Sequence, residues 1–136
     1  MGRRLAIIAA LMASGCSGAS EEVMTRAAVE AYIDGLTSGD VSAIPLAQEV
    51  SFVGPMAPDG LVGAEAVRSF LAEVATGLEV FPERILIDGQ YACAPGQFTV
   101  QRLEGEALPG VDCFRVVEGE IVQVRPYFDP RPLLPN

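Results

Sequence analysis

The order of the secondary-structure signals predicts an α+β fold, with helices first and an antiparallel meander after them. Three observations carry this. Val29, Tyr32, Ile33 and Leu36 recur at helical spacing. Val67, Phe70, Leu71 and Val74 do so again. From Leu78 onward, short strand-like runs are separated by glycine turns. The chain has 136 residues, half of them hydrophobic, which suffices for one core and not for two.

The first fifteen residues read as an export signal outside the fold. Arg3 and Arg4 form a basic start, and Leu5 to Met12 form an apolar run too short to span a bilayer. Ala13, Ser14 and Gly15 are small residues ahead of Cys16. This ending resembles the lipobox of bacterial lipoproteins, which implies lipidation at Cys16; the alternative is an ordinary cleaved signal. Residues 16–22 then form a lipidated cysteine with a polar tether, and 23–136 the domain. The expected location is the cell envelope, otherwise the periplasm or the medium, with membrane contact only through the lipid anchor.

The first helix is expected over Glu21 to Ser38, its acidic start favoured by the helix dipole. Gly39 ends it, and Asp40 caps a short second helix to about Leu46, kept brief by Pro45. Glu49 to Val53 reads as a strand, and Gly54 to Val62, with two prolines and two glycines, as a loop. A further helix runs from about Ala64 to Thr76 and closes at Gly77. Arg84 to Ile87 leads into an Asp88-Gly89 turn. Tyr91 to Leu103 is a strand with a bulge or bend expected at Pro95-Gly96. Val111 to Val117 and Ile121 to Phe128 are strands joined by Glu118-Gly119.

Within Val111 to Val117, alternation sets Val111, Cys113, Arg115 and Val117 on one face and Asp112, Phe114 and Val116 on the other. An acid among apolar neighbours on its own face is costly to bury unless it is protonated or paired. Asp112 is therefore a candidate functional group, or the partner of another residue.

Composition narrows the chemistry. The formal net charge is −9, and there is no histidine. All nine basic residues are arginine. Ser-His-Asp and Cys-His nucleophiles, histidine-ligated zinc and lysine Schiff bases are thereby excluded. An acidic chain without a basic cluster is a poor nucleic-acid binder. No phosphate loop and no EF-hand spacing is present, so neither cofactor nor metal is expected.

The ordered pieces resemble the nuclear-transport-factor-2-like superfamily, in its ketosteroid-isomerase and SnoaL-like polyketide-cyclase branches. They are Ser38-Gly39-Asp40, the loop Gly54-Pro55 to Gly63 leading into Val67-Arg68-Ser69-Phe70, Asp112-Cys113-Phe114-Arg115, Gly119-Glu120-Ile121 and Tyr127-Phe128-Asp129-Pro130. The resemblance implies a curved antiparallel sheet wrapped by the N-terminal helices into a cone with a central apolar pocket. It also implies that a homodimer is among the expected partners, since members are often dimers.

The resemblance to ketosteroid isomerases implies roles for particular residues. A tyrosine lies eight residues before the aspartate of the Gly-Asp pair, here Tyr32 before Asp40. A second oxyanion-hole acid stands two residues before the Phe-Arg pair, here Asp112. The general base precedes the loop proline, and here that position is Gly54. Asp129 matches an acid/base position of the cyclase branch, but the same Phe-Asp-Pro ending recurs as a structural terminus, which is the favoured reading. Asp59, in the loop after the first strand, is a further acid for a pocket mouth, with a solvated loop acid as the default reading. Phe70, Phe114 and Phe128 are expected to crowd the site as ligand-binding aromatics. The ligand expected is a small apolar or carbonyl-bearing molecule. Binding alone, carbonyl polarisation by an isomerase or cyclase, and protein interaction through the convex sheet remain open.

Cys93 and Cys113 fall on neighbouring strands, and an exported domain favours their disulfide. Centring the turn on Gly105 would pair Cys93 a few positions beyond Cys113, an offset that a bulge at Pro95-Gly96 could absorb. Two buried free thiols are the alternative.

Overall fold

Helix α1 (Ser17–Ser38) buries Thr25, Ala28, Val29, Tyr32, Ile33 and Leu36, one face of a 3.6-residue repeat. The computed structural model describes residues 17–135. The expectations for the export signal and for lipidation at Cys16 lie outside the described residues. Residues 17–22, expected as a tether, are the first turns of α1. Thr25 is buried and donates to the Gly89 carbonyl at 2.8 Å, which fastens α1 to a distant hairpin.

After α1 the chain makes a 3₁₀ turn, Val41–Ala43. Asp40 caps it by accepting from the Ser42 amide, as expected of an aspartate at a helix start. Strand β1 (Leu46–Gly54) follows, then β2 (Ala57–Val62). The stretch 54–62 is thus a hairpin arm and not the predicted loop. Prolines are tolerated there because β2 is an edge strand. Helix α2 (Ala64–Ala75) buries Val67, Leu71 and Ala75. Arg68 on α2 donates to the carbonyls of Val41 and Ile44, the latter at 3.1 Å, so one guanidinium satisfies the end of the 3₁₀ turn. Arg68→Met is expected to cost about 1–3 kcal/mol, because two charge-assisted bonds are lost from carbonyls that each keep one backbone donor; urea denaturation measures it, and an unchanged midpoint would rule that role out.

The sheet continues with β3 (Leu78–Pro82), β4 (Leu86–Asp88), β5 (Tyr91–Val100), β6 (Ala107–Val117) and β7 (Glu120–Phe128). The strand order is β2-β1-β7-β6-β5-β3, with β4 also on β5. All pairs are antiparallel except β1 with β7, which is parallel. The sheet is therefore mixed, curved and unclosed, and the two helices pack on its inner face. The core joins α1 and α2 to that face through residues such as Val29, Val50, Val67, Leu71 and Ile121.

The bulge expected at Pro95-Gly96 is absent. Strands β5 and β6 pair in unbroken register from Tyr91↔Arg115 to Thr99↔Ala107. Proline is accommodated because Pro95 lies opposite the gap between β4 and β3, where its carbonyl accepts from the Glu83 amide at 2.9 Å. No ladder donor is required of it there. The β5–β6 connection centres on a 3₁₀ turn, Gln101–Leu103, and not on Gly105. That shift brings Cys93 directly opposite Cys113. Their sulfurs form a disulfide with the Cα atoms 4.1 Å apart, on the sheet face opposite to Asp112.

Candidate functional site

The inner faces of β3, β5, β6 and β7 and the facing sides of α1 and α2 leave a cavity, with ≈ 130 Å³ open to the centres of water-sized molecules. Its walls are apolar because the inward strand positions carry Val80, Ala94, Phe98, Val100, Pro126 and Phe128. On the helix side, Phe70 of α2 packs against Phe52 of β1 with ring centres 5.0 Å apart. Across the sheet, Phe98 and Phe128 meet edge to face at 5.2 Å. Tyr32 and Asp112 bring polar groups to this wall from inward positions; Gln97 also borders it, but it is exposed and alternates with the inward Ala94, Phe98 and Val100 of β5.

Tyr32 and Asp112, eighty positions apart, are brought to one void. Tyr32 reaches it from α1, its ring edge-on to Phe114 at 4.9 Å. Asp112 reaches it from the inner face of β6, with Ala94 opposite on β5 and Pro126 opposite on β7. Neither neighbour has a side-chain donor. Burial raises the Asp112 carboxyl to about 6, with no cation or hydrogen bond to offset it. Its remaining exposure is intermediate, as expected of a group enclosed by protein whose free side borders a void. Burial also holds the Tyr32 hydroxyl well above the ordinary tyrosine range, and the charge of nearby Asp112 adds to the rise. No buried side-chain oxygen or nitrogen lacks a partner among the described residues, so these two groups open onto the cavity and are not sealed orphans.

Chemically, Tyr32 is a constant hydrogen-bond donor and Asp112 a carboxyl that changes charge near neutrality. Both can donate to an oxygen acceptor, Asp112 only when protonated. No arginine borders the cavity among the described residues, so an anionic ligand would meet Asp112 without compensation. No cluster of potential metal ligands is found among the described residues.

Several expected site residues lie elsewhere. Asp129 is exposed and paired with Arg131, its Oδ2 2.6 Å from the guanidinium, which lowers its carboxyl to about 2. It does not border the cavity, and its pairing with Arg131 matches the structural strand ending rather than an acid/base position. Asp59 is exposed on β2 and is also absent from the cavity wall. Asp40 serves the 3₁₀ turn. Phe70 and Phe128 line the cavity as expected, but Phe114 lies behind Tyr32, 3% exposed, and supports that ring instead of touching the void. At Gly54, the expected base position, an added Cβ would stand 2.8 Å from Pro126 Cγ. The Pro126 ring occupies the space that a larger side chain would need.

Met56, Gln97, Pro126 and Leu133 border the cavity without having been singled out from the sequence. Strand alternation carries a signal for Pro126, which shares its face with Phe128. Leu133 lies beyond the last strand, where no periodicity exists to assign it.

Comparison with known proteins fits this architecture. The sequence profile of the SnoaL-like domain matches residues 29–124. A search among curated proteins found no significant match. Among solved structures, an NTF2-like protein of unknown function from Cytophaga hutchinsonii has a TM-score of 0.69 at 23% identity, over 80% of this chain and 93% of its own. A putative ketosteroid isomerase from Kribbella flavida has a TM-score of 0.69 at 22% identity, over 85% of this chain and 91% of its own. The epoxide hydrolase/cyclase-like enzyme SalBIII of pyran ring formation in salinomycin has 0.70 at 20% identity, over 80% and 93% respectively. At these identities the likeness is one of fold.

Proposed function

The chain belongs to the SnoaL-like domain family, and from that premise we propose that its cavity binds a small, uncharged, apolar molecule through a single carbonyl oxygen. One observation carries the reading: a largely apolar cavity has Tyr32 and Asp112 on its wall, neither with a side-chain hydrogen bond among the described residues. Buried polar groups are costly to leave without hydrogen bonds, and a ligand oxygen would accept from both once Asp112 is protonated. Apolar walls supply the remaining affinity.

Binding is favoured over turnover because a second proton carrier is lacking. A carbonyl-polarising pair needs a separate base within reach of the reacting carbon. The three positions considered for it are a glycine packed on Pro126, an exposed strand acid and an ion-paired acid. If residues 1–15 direct export and Cys16 is lipidated, the ligand is met in the cell envelope.

Titration calorimetry with 2-tetralone, its hydrocarbon tetralin and the anion 2-naphthoate tests the proposal. The ketone should bind roughly fivefold tighter than the hydrocarbon for each hydrogen bond made, since a net hydrogen bond contributes about 1 kcal/mol, and the anion should not bind. Tyr32→Phe should bring the ketone most of the way to the hydrocarbon. The ketone should also bind more tightly as pH falls from 8 to 6, because only protonated Asp112 donates. Equal affinity for ketone and hydrocarbon, or no uptake of either, would end this reading.

A further inference from the structure

Leu133 is an unusual buried residue. It is 8% exposed, yet it lies outside the contiguous core that gathers nearly all the other buried apolar side chains. It borders the cavity instead. It belongs to a short 3₁₀ turn, Arg131–Leu133, that follows β7. Two attachments hold that turn. Asp129 accepts from the Arg131 amide at 3.0 Å and pairs with its guanidinium, which folds the chain back immediately after the strand. Arg102, from the β5–β6 connection, donates to the Leu133 carbonyl.

The position of this turn along the sheet is set by register. On the inner face of β6 the order runs Phe114, Asp112, Gly110, Leu108, with steps of about 7 Å per two residues. Gly110 pairs with Phe128, three residues before the turn begins. Leu133 therefore lies on the Gly110–Phe128 side of Asp112, and Phe114 on the other. Gly110 lets the Phe98 and Phe128 side chains settle close over the sheet, since a Cβ there would stand 3.3 Å from the Phe98 ring and 3.5 Å from Phe128 Cβ, and these two rings floor the cavity at this point. A ligand anchored at Tyr32 and Asp112 has Phe114 and the core behind it, so a tail that follows the sheet lies over the Phe98 and Phe128 rings and points towards Leu133.

We propose that Leu133 is the end wall that sets the length of ligand the cavity accepts, and that the Arg102 hydrogen bond is the latch holding this wall in place. This rests on the carbonyl-binding reading above. It assigns a specificity role to a segment outside the matched domain boundaries, 29–124, and a purpose to the Asp129–Arg131 pair as the bracket of the wall. The wall is held at its backbone by a single side chain from another loop, so releasing it need not disturb the core.

A homologous series of 2-alkanones, from 2-pentanone upward, tests this on the full chain by calorimetry. In the wild type, affinity should rise about fourfold per added methylene until the tail meets Leu133, and then stop rising or fall. Leu133→Ala should move that cut-off one to three carbons longer while leaving the short ketones within about twofold. Arg102→Gln, which keeps the wall residue and removes its latch, should also lengthen the cut-off and speed dissociation of the longest ketones; it decides the matter by itself if Leu133→Ala folds poorly. Cut-offs unchanged in the folded variants, with the wild type still binding ketones, would overturn the end-wall assignment alone. A wild type that takes up no 2-alkanone would overturn both this assignment and the carbonyl-binding reading.

Discussion

Asp112→Asn is expected to gain about 3 kcal/mol of stability relative to wild type between pH 4 and pH 8. The argument is one of proton linkage. Burial raises the Asp112 carboxyl in the fold from 3.8 to about 6. A folded state that holds its proton more tightly than the unfolded chain is at its most stable below the unfolded value, loses stability as pH rises from about 4 to 6, and stays at the lower level above that. The loss is roughly two pKa intervals at about 1.4 kcal/mol each. Asparagine has nearly the same shape and no charge to bury, so its own packing cost is the same at every pH. The difference between variant and wild type should therefore open between pH 4 and 6 and remain constant to pH 8. Urea denaturation at four or five pH values across this range measures it directly. Parallel stability curves for the two proteins would mean that Asp112 is not enclosed as described. The same substitution keeps an amide donor in the cavity, so ketone affinity should become independent of pH, whereas Asp112→Ala should weaken it at pH 5.

Loss of the Cys93–Cys113 disulfide is the second large effect. The bridge closes a chain segment with a sequence separation of 20, and a loop of this size is worth about 3 kcal/mol through restriction of the unfolded chain. The Cys93→Ala, Cys113→Ala double variant should lose this much in urea. Wild type under strong reductant should lose a similar amount, while the variant should be indifferent to reductant. The bridge also ties β5 to β6 next to the Ala94↔Asp112 pair, directly behind the cavity wall. A wild type whose midpoint ignores reductant, with two titratable thiols, would show that the bond does not form.

Much of the fold was legible because local patterns and tertiary packing agree. Val29, Tyr32, Ile33 and Leu36 share a helix face in isolation, and that face is the one the sheet covers. Glu118-Gly119 reads as a two-residue turn, and both residues have the positive φ such a turn requires, 51° and 80°. Alternation alone placed Asp112 and Cys113 on opposite faces of β6. The cost of burying an acid there marked Asp112 before any neighbour was known.

What only the tertiary structure decided are the relations between distant segments, since strand pairing and cavity shape depend on register that no local pattern encodes. The β2 arm was hidden by Pro55, Pro58 and Gly60, residues that read as loop but are tolerated at a sheet edge. The parallel pairing of β1 with β7 joins residues about seventy positions apart. The place of Pro95 opposite the gap between β3 and β4 removed the need for a bulge, and the centring of the β5–β6 connection on Gln101–Leu103 removed the offset between the cysteines. The cavity follows the same rule. Tyr32 and Asp112 are each conspicuous in the sequence, but whether Phe114 touches the void or supports Tyr32, and whether Asp129 faces the cavity or Arg131, are matters of side-chain placement. Leu133 lies beyond the last strand and carries no periodic signal; it became part of the wall because an arginine from a distant loop holds its carbonyl. Local propensity and alternation operate over a few residues and are written in the chain. A cavity is the space left where packed elements fail to meet, so its shape and the partners its polar groups lack exist only once all of those elements are in place.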